Sequence, residues 1–404
     1  MTITVPSRLQ EVPASPIRKL VPFAHQLPQS IIKTFSIRVK ELDGVNLGQG
    51  IPSFPTQAHV IVATKKALNE PDIGVYPNFL GTIELREAIA KKLNVHYSLS
   101  LDSTREILVT VGAMEAFASS VLSLVSARDM VGVVTPDYCN HFPAIMIGRG
   151  EIHEIFMLEG KTWEIDLARM EQEARNGMKV LVLTNPNNPT GAVVNREQMS
   201  RIVSLANRYG FWLIADETYA FLDYSGTFAS LLEFYGDCER ILVIRSFSKE
   251  YAMTGWRVGY VIGRPSIVSL IAKTHDALVG CVPKISQIAA VAALVGPQDC
   301  VLQFQQILGK RCDMVCDLLD NMSEYLSYAK PQGAYYVFPK YKGTALSLSL
   351  VETILEKAHV AVIPGIVFGQ AGEGHLRISF AVDDAVLTDG MKKLHGFFRA
   401  EKFQ

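Results

Sequence analysis

The sequence predicts an α/β protein, with a large domain on a mostly parallel sheet flanked by helices and a smaller α/β domain beside it. Three observations carry this. Short apolar runs alternate with helical stretches from Ile107 to Ile262, the pattern of strands joined by crossover helices. That alternation stops near residue 300, and strand-like segments resume only after residue 330. The chain has 404 residues, more than one ordinary compact domain. The expected division is 46–300 for the large domain, with 1–45 and 301–404 supplying an N-terminal arm and the small domain.

Bulk properties remove several function classes. With 49% hydrophobic and 20% charged residues, the chain has ample core for a globular protein. A formal net charge of -1 argues against nucleic acid or an anionic membrane as the main partner. No apolar run approaches the roughly 20 residues a membrane span needs. The six cysteines, at 139, 238, 281, 300, 312 and 316, form no Cys-x-x-Cys pair and no Cys/His cluster with zinc spacing. Reduced thiols in a cytoplasmic protein, with no metal site, are the expectation.

Taken in order, residues 1–45 carry five prolines before residue 30 and then an apolar-periodic patch from Ile31 to Val39, an extended arm followed by a helix. Val45 to Pro52 is a short strand turning on glycine, where Gly50 leaves its backbone open to a ligand. Tyr76 leads through Gly81 into a helix with apolar positions 83, 85 and 89. Strand Ile107–Thr110 meets a helix opening at Gly112-Ala113-Met114 and continuing to about Ser126, so free amides and a positive dipole end are available to an anion. Strands follow at Val131–Val134, Val180–Leu183, Phe211–Ala215, Ile241–Ile244 and Val258–Ile262. Most end in polar clusters: Pro136 to His141, Asn185 to Gly191, Asp216 to Tyr219, and Arg245 to Lys249. In open α/β sheets that carboxyl edge binds ligands. Residues 300–330 are helical by periodicity; Gly333–Pro339, Val360–Ile363 and Leu376–Phe380 read as strands, with a helix at 347–358.

The most informative stretch is Ser246-Phe247-Ser248-Lys249, followed eight residues after the lysine by Arg257 and then by Gly259. Two hydroxyls and a guanidinium can bind phosphate oxygens, and a neutral lysine amine can condense with a carbonyl. Together they suit a phosphorylated aldehyde. Arg377 alternates within an apolar strand, and a buried guanidinium needs a partner; its planar fork matches a carboxylate.

The Ser-x-Ser-Lys-x(7)-Arg-x-Gly string resembles the cofactor-lysine segment of the fold-type I pyridoxal-phosphate enzymes, specifically the class I/II aminotransferases of the aspartate aminotransferase superfamily. The strings NPNNPTG (185–191), Ala215-Asp216-Glu217-x-Tyr219, Leu376-Arg377-Ile378-Ser379, Asn46 to Phe54 and Tyr76-x(4)-Gly81 extend the resemblance from Asn46 to about Phe380. It implies pyridoxal 5'-phosphate bound through Lys249, with Asp216 pairing with the ring nitrogen and Tyr219 and Asn188 donating to the ring oxygen. Tyr138 would stack on the ring, and His141 would support Asp216. Gly112, Ala113, Met114, Ser246, Ser248 and Arg257 would hold the phosphate. Gly50, Asn188 and Arg377 would take the substrate carboxylate. Tyr76 would reach the phosphate of a neighbouring subunit's cofactor, making a homodimer with shared sites. Lys284 departs from the pattern, since a small or hydroxylated residue is usual there; a surface lysine is favoured over a substrate contact.

The resulting expectation is transfer of an amino group between an L-amino acid and a 2-oxo acid by a ping-pong mechanism. A lyase, cyclase or oxidative enzyme on the same scaffold remains the alternative. A cofactor-binding regulatory module is disfavoured by the intact Lys249, Asp216 and Arg377. No second arginine can be assigned to a distal carboxylate, so the amino acid stays open.

Overall fold

The main sheet is assembled mostly from strands whose side chains are buried on both faces. The computed structural model describes residues 30–401. The arm expected before residue 30 lies outside the described residues. Helix α1 (Ile31–Glu41) leads to β1 (Val45–Asn46), then to α2 (Ala58–Ala67) and α3 (Ile83–Tyr97). Thr82 caps α3 by accepting from the Leu85 amide. Strand β2 (Ile107–Thr110) and helix α4 (Gly112–Leu124) are followed by β3 (Met130–Thr135), α5 (His141–Ile147), β4 (Glu151–Glu159) and β5 (Trp163–Ile165). Next come α6 (Leu167–Arg175), β6 (Val180–Thr184), α7 (Arg196–Tyr209) and β7 (Trp212–Asp216). Strand β8 (Ile241–Ser246) enters α8 (Phe247–Glu250), and β9 (Gly259–Gly263), α9 (Pro265–Val279) and α10 (Lys284–Val295) close this part of the chain.

These strands form one eight-stranded sheet in the order β2-β9-β8-β7-β6-β3-β4-β5. The five from β8 to β4 run parallel, while β9 is antiparallel to both its neighbours and β5 is antiparallel to β4. Successive residues pack on opposite faces. Leu242 and Ile244 face the cluster that includes Phe117 and Ile271, whereas Ile241 and Val243 face the cluster built with α3, α6 and α7. Double-sided burial explains why these strands read as continuous apolar runs. Strand β4 and the edge strand β5 are not legible as apolar runs because Glu151, Glu154, Glu159 and Glu164 interrupt the pattern.

After α11 (Asp299–Asp320), short strands make smaller sheets. Strand β10 (Leu326–Ser327) pairs with β12 (Lys340–Tyr341), so helix does not persist to residue 330 as its periodicity predicts. Strand β11 (Tyr336–Val337) is the paired core of the 333–339 segment. Beyond α12 (Ser347–Ala358), the single strand expected at 360–363 is divided: β13 (Val360–Ala361) pairs with β1, and β14 (Ile363–Pro364) pairs with β15 (Leu376–Ser379). Helix α13 (Asp384–Ala400) packs over this region. No single helix among the described residues is long and apolar enough to cross a membrane, and none of their His, Cys, Asp or Glu side chains cluster as a metal site.

Candidate active site

Four strand ends of the main sheet and one strand of the C-terminal region converge on Lys249. The lysine lies on α8, a single turn whose N-cap is Ser246, accepting from the Ser248 amide at 3.1 Å. The two hydroxyls are 2.9 Å apart, so the serines the sequence singled out act as a pair. Lys249 Nζ donates to the Gly50 carbonyl at 2.5 Å. Burial, with Arg377 and Arg257 adding positive charge nearby and Asp216 opposing them, pulls its amine down to about 7. A lysine so placed is available as a neutral base near neutral pH.

Asp216 closes β7 and points to the side of the sheet covered by α4 and α5. Its Oδ1 accepts from the Thr218 amide at 3.0 Å. His141 Nε2 lies 3.4 Å from its Oδ2, a charge contact rather than a well-formed hydrogen bond. His141 Nδ1 meets Asp137 at 2.7 Å, and Thr184 donates to the other Asp137 oxygen at 2.5 Å. Phe117 stacks on the imidazole with ring centroids 4.0 Å apart, and Tyr138 meets it edge-on. Burial would drive this histidine neutral, but Asp137 foremost and Asp216 with it hold it up at about 9. Burial likewise favours a neutral Asp216, and His141 and Thr218 overcome it, keeping the carboxyl below its ordinary range. A buried carboxylate therefore stays charged at the sheet edge. Glu217, its neighbour, is taken up by Arg245, Ser230 and the Leu231 amide.

The N-terminus of α4 faces Arg257. Gly112 has φ +75°, and a Cβ there would sit 2.5 Å from the Arg257 guanidinium, so only glycine lets the two approach. Arg257, itself left-handed with φ 52°, donates to the carbonyls of Thr254 and Val111 and is otherwise exposed. The first-turn amides of Gly112, Ala113 and Met114 lack intrahelical acceptors by the geometry of any helix start. Ser246, Ser248, Arg257 and these amides thus combine hydroxyls, a cation and a helix dipole, a donor set suited to phosphate.

The C-terminal strands complete the ring of groups. Arg377 on β15 is almost fully buried; it donates to Asn188 Oδ1 at 3.0 Å and to the Gly48 carbonyl, and among the described residues its Nε has no partner. Its guanidinium stacks on Tyr336 and Phe368. Tyr219 meets Tyr336 hydroxyl to hydroxyl at 2.9 Å, and Tyr335 donates to the same Gly50 carbonyl that Lys249 uses. Gly50 is forced to be glycine by this packing, since a Cβ would fall 1.8 Å from the Tyr336 oxygen. Its carbonyl accepts from both Lys249 and Tyr335.

Of the residues singled out, Lys249, Asp216, Tyr219, Asn188, Arg377, Gly50, Tyr138, Ser246, Ser248, Arg257 and the Gly112 turn come together. Tyr76 does not: it stands 90% exposed ahead of α3. Lys284 is bound to Asp72 at 2.6 Å and reaches Glu70 at 3.8 Å, so it braces the segment leading to Tyr76. Asp137, Thr184, Tyr335 and Tyr336 were not assigned from sequence. The four-residue spacing of Asp137 and His141 was the available signal for one of them; the tyrosines reach the site only through tertiary contact.

Comparison with known proteins shows what the chain is similar to. The family model for aminotransferase class I and II matches residues 43–394. An aspartate aminotransferase of Pyrococcus abyssi is 32% identical, the match covering 93% of this chain and 97% of that protein. An LL-diaminopimelate aminotransferase of Desulforudis audaxviator is also 32% identical, over 95% and 97%. The crystal structure of an aromatic aminotransferase from Pyrococcus horikoshii superposes with a TM-score of 0.85 at 30% identity, covering 91% of this chain and 99% of that one.

Proposed function

Because the chain belongs to the class I and II aminotransferases, and so is an enzyme of amino-group transfer on the fold-type I scaffold, we propose that it holds pyridoxal 5'-phosphate at Lys249. It then moves the amino group from an L-amino acid to a 2-oxo acid in two alternating half-reactions, a ping-pong order. One observation carries this: a buried Lys249 amine drawn down to about 7, lying among Asp216, Arg377 and Arg257. The donor set fits the cofactor, with a charged carboxylate at one end, the tight Gly112–Arg257 approach at the other, and a lysine between.

Bound there, pyridoxal phosphate supplies an aldehyde that condenses with amines and a ring that accepts the electron pair left on a substrate carbon. The protein's residues do the rest. Asp216, kept ionised by His141, pairs with the ring nitrogen, and Tyr219 and Asn188 donate to the ring oxygen. Tyr138 packs on the ring face. Gly112, Ala113, Met114, Ser246, Ser248 and Arg257 hold the phosphate. Arg377, with Asn188 and Gly50 beside it, grips the substrate carboxylate and so fixes which bond at Cα stands over the ring. Lys249, neutral once freed, takes the Cα proton and returns it at the far end of the shift.

The same reading makes the enzyme a homodimer in which Tyr76 serves the partner subunit's phosphate. Its exposure supports this, as does the Lys284 brace behind it. It also keeps residues 46–300 as the cofactor-binding domain, with 1–45 and 301–404 as the N-terminal arm and small domain. Six free cysteines fit a reducing cytoplasm.

A single-turnover experiment tests the reaction. Loaded enzyme given an amino acid and no 2-oxo acid should release one equivalent of the corresponding 2-oxo acid per subunit and stop. Continued release of ammonia or uptake of oxygen would instead identify an eliminating or oxidising enzyme.

A further inference from the structure

The hydroxyls of Tyr219 and Tyr336 lie 2.9 Å apart, and either could be the donor. A third phenol, Tyr335, packs against both rings with centroids 5.1 Å and 4.8 Å away, but its own proton is committed to the Gly50 carbonyl. Two hydroxyls joined by one bond leave one proton outside it. If Tyr219 were the donor, the spare proton would belong to Tyr336. That oxygen is wedged against Gly50, at a spot 1.8 Å from where a Cβ would be, and its ring is covered by the Arg377 cation 4.5 Å from the centroid. If Tyr336 is the donor, the spare proton belongs to Tyr219, on the side facing the rest of the site.

Electrostatics chooses between the two. Burial raises both phenols, but at Tyr336 the Arg377 charge works against burial, while at Tyr219 the neighbouring tyrosines only add to it. The more acidic phenol is the better donor to the less acidic one. We propose that Tyr336 is a positioning residue: it donates its single proton to Tyr219, leaving the Tyr219 proton directed at the cofactor's ring oxygen, and it links that direction to the carboxylate-binding Arg377. This rests on the assignment of Tyr219 to the cofactor made above. Tyr336 touches neither substrate nor cofactor in this scheme; it acts through Tyr219.

The test uses the cofactor-loaded enzyme and the pH titration of its visible absorption band. Tyr219→Phe should move the midpoint upward, because a donor to the ring oxygen is lost. Tyr336→Phe should move it the same way by about half a unit, roughly threefold in the proton equilibrium. In the double variant Tyr336→Phe should add nothing, since its effect passes through Tyr219. It should also lower kcat while leaving KM for the amino acid within about twofold, because the ring that stacks on Arg377 remains. Gly50→Ala keeps both hydroxyls but drives Tyr336 aside, and should shift the midpoint upward as well, which guards against a variant that fails to fold. A Tyr336→Phe midpoint equal to the parent's, or a full additional shift in the double variant, overturns the proposal while Tyr219 keeps its role. A Tyr219→Phe midpoint that does not move overturns the assignment beneath it.

Discussion

The two ends of the candidate cofactor cradle are built differently. At the Asp216 end, Thr184, Asp137, His141 and Asp216 form a buried line of contacts, every member supplied by this chain. At the Gly112 end, Arg257 is exposed and among the described residues donates to two backbone carbonyls, while Tyr76, away from this site, stands in solvent. Buried charge is costly unless paired, so the first end must be finished as the chain folds. Exposed charge carries no such requirement, and the second end can wait for an anion and a partner subunit. The first should therefore answer mutation in catalysis and stability, the second in ligand affinity.

Asp216→Ala gives the largest expected effect and sharpens the distinction. Turnover should fall by at least about 100-fold, the scale on which one well-placed electrostatic group acts, while the fold survives because His141 keeps Asp137. Normal turnover in initial-rate assays would show that the carboxylate is not beside the reacting system. His141→Ala should damage the fold instead: two buried carboxylates lose their shared cation, at a cost on the order of 3–5 kcal/mol in denaturant unfolding. The pH dependence has a definite sign. The folded histidine, at about 9, lies above its ordinary 6.5, so its stabilisation is complete below 6.5 and is lost as pH rises through about 9. The melting temperature of the parent should fall across that window more than that of His141→Ala.

At the open end, Arg257→Ala should weaken cofactor binding by roughly 10–100-fold, the worth of a charge-assisted hydrogen bond, with the melting temperature of the cofactor-free protein nearly unchanged. A collapse of that melting temperature would erase the contrast between the ends. Lys284→Met is the mildest case, since its partners are exposed, and should shift the melting temperature by no more than about 2 °C. In the proposed dimer its effect belongs on cofactor affinity, and light scattering showing a fully active monomer would remove Tyr76 from the site.

The same contrast governs what could be seen in the sequence. Lys249, Asp216, Asn188 and the Gly112 turn sit at or just past the ends of strands whose double-sided burial writes an unbroken apolar run. Position and chemistry are then both local. Arg377 was legible because a guanidinium inside an apolar strand needs a partner, although Gly48 and Asn188 could not be named as its contacts. Tyr335 and Tyr336 read only as apolar strand residues, because their hydroxyls find Gly50 and Tyr219 across more than 100 residues of chain. The charged strands β4 and β5 hid for the opposite reason: partial exposure broke the pattern that marks their neighbours.

The two ends of the cradle meet at one atom, the Lys249 amine. Borohydride reduction of the loaded enzyme, followed by protease digestion and peptide mass mapping, asks directly whether that amine carries the cofactor. The account predicts a single modified peptide with the added mass on Lys249, and none in Lys249→Ala. The label on any other lysine, or an unlabelled Lys249 in fully active enzyme, would contradict it.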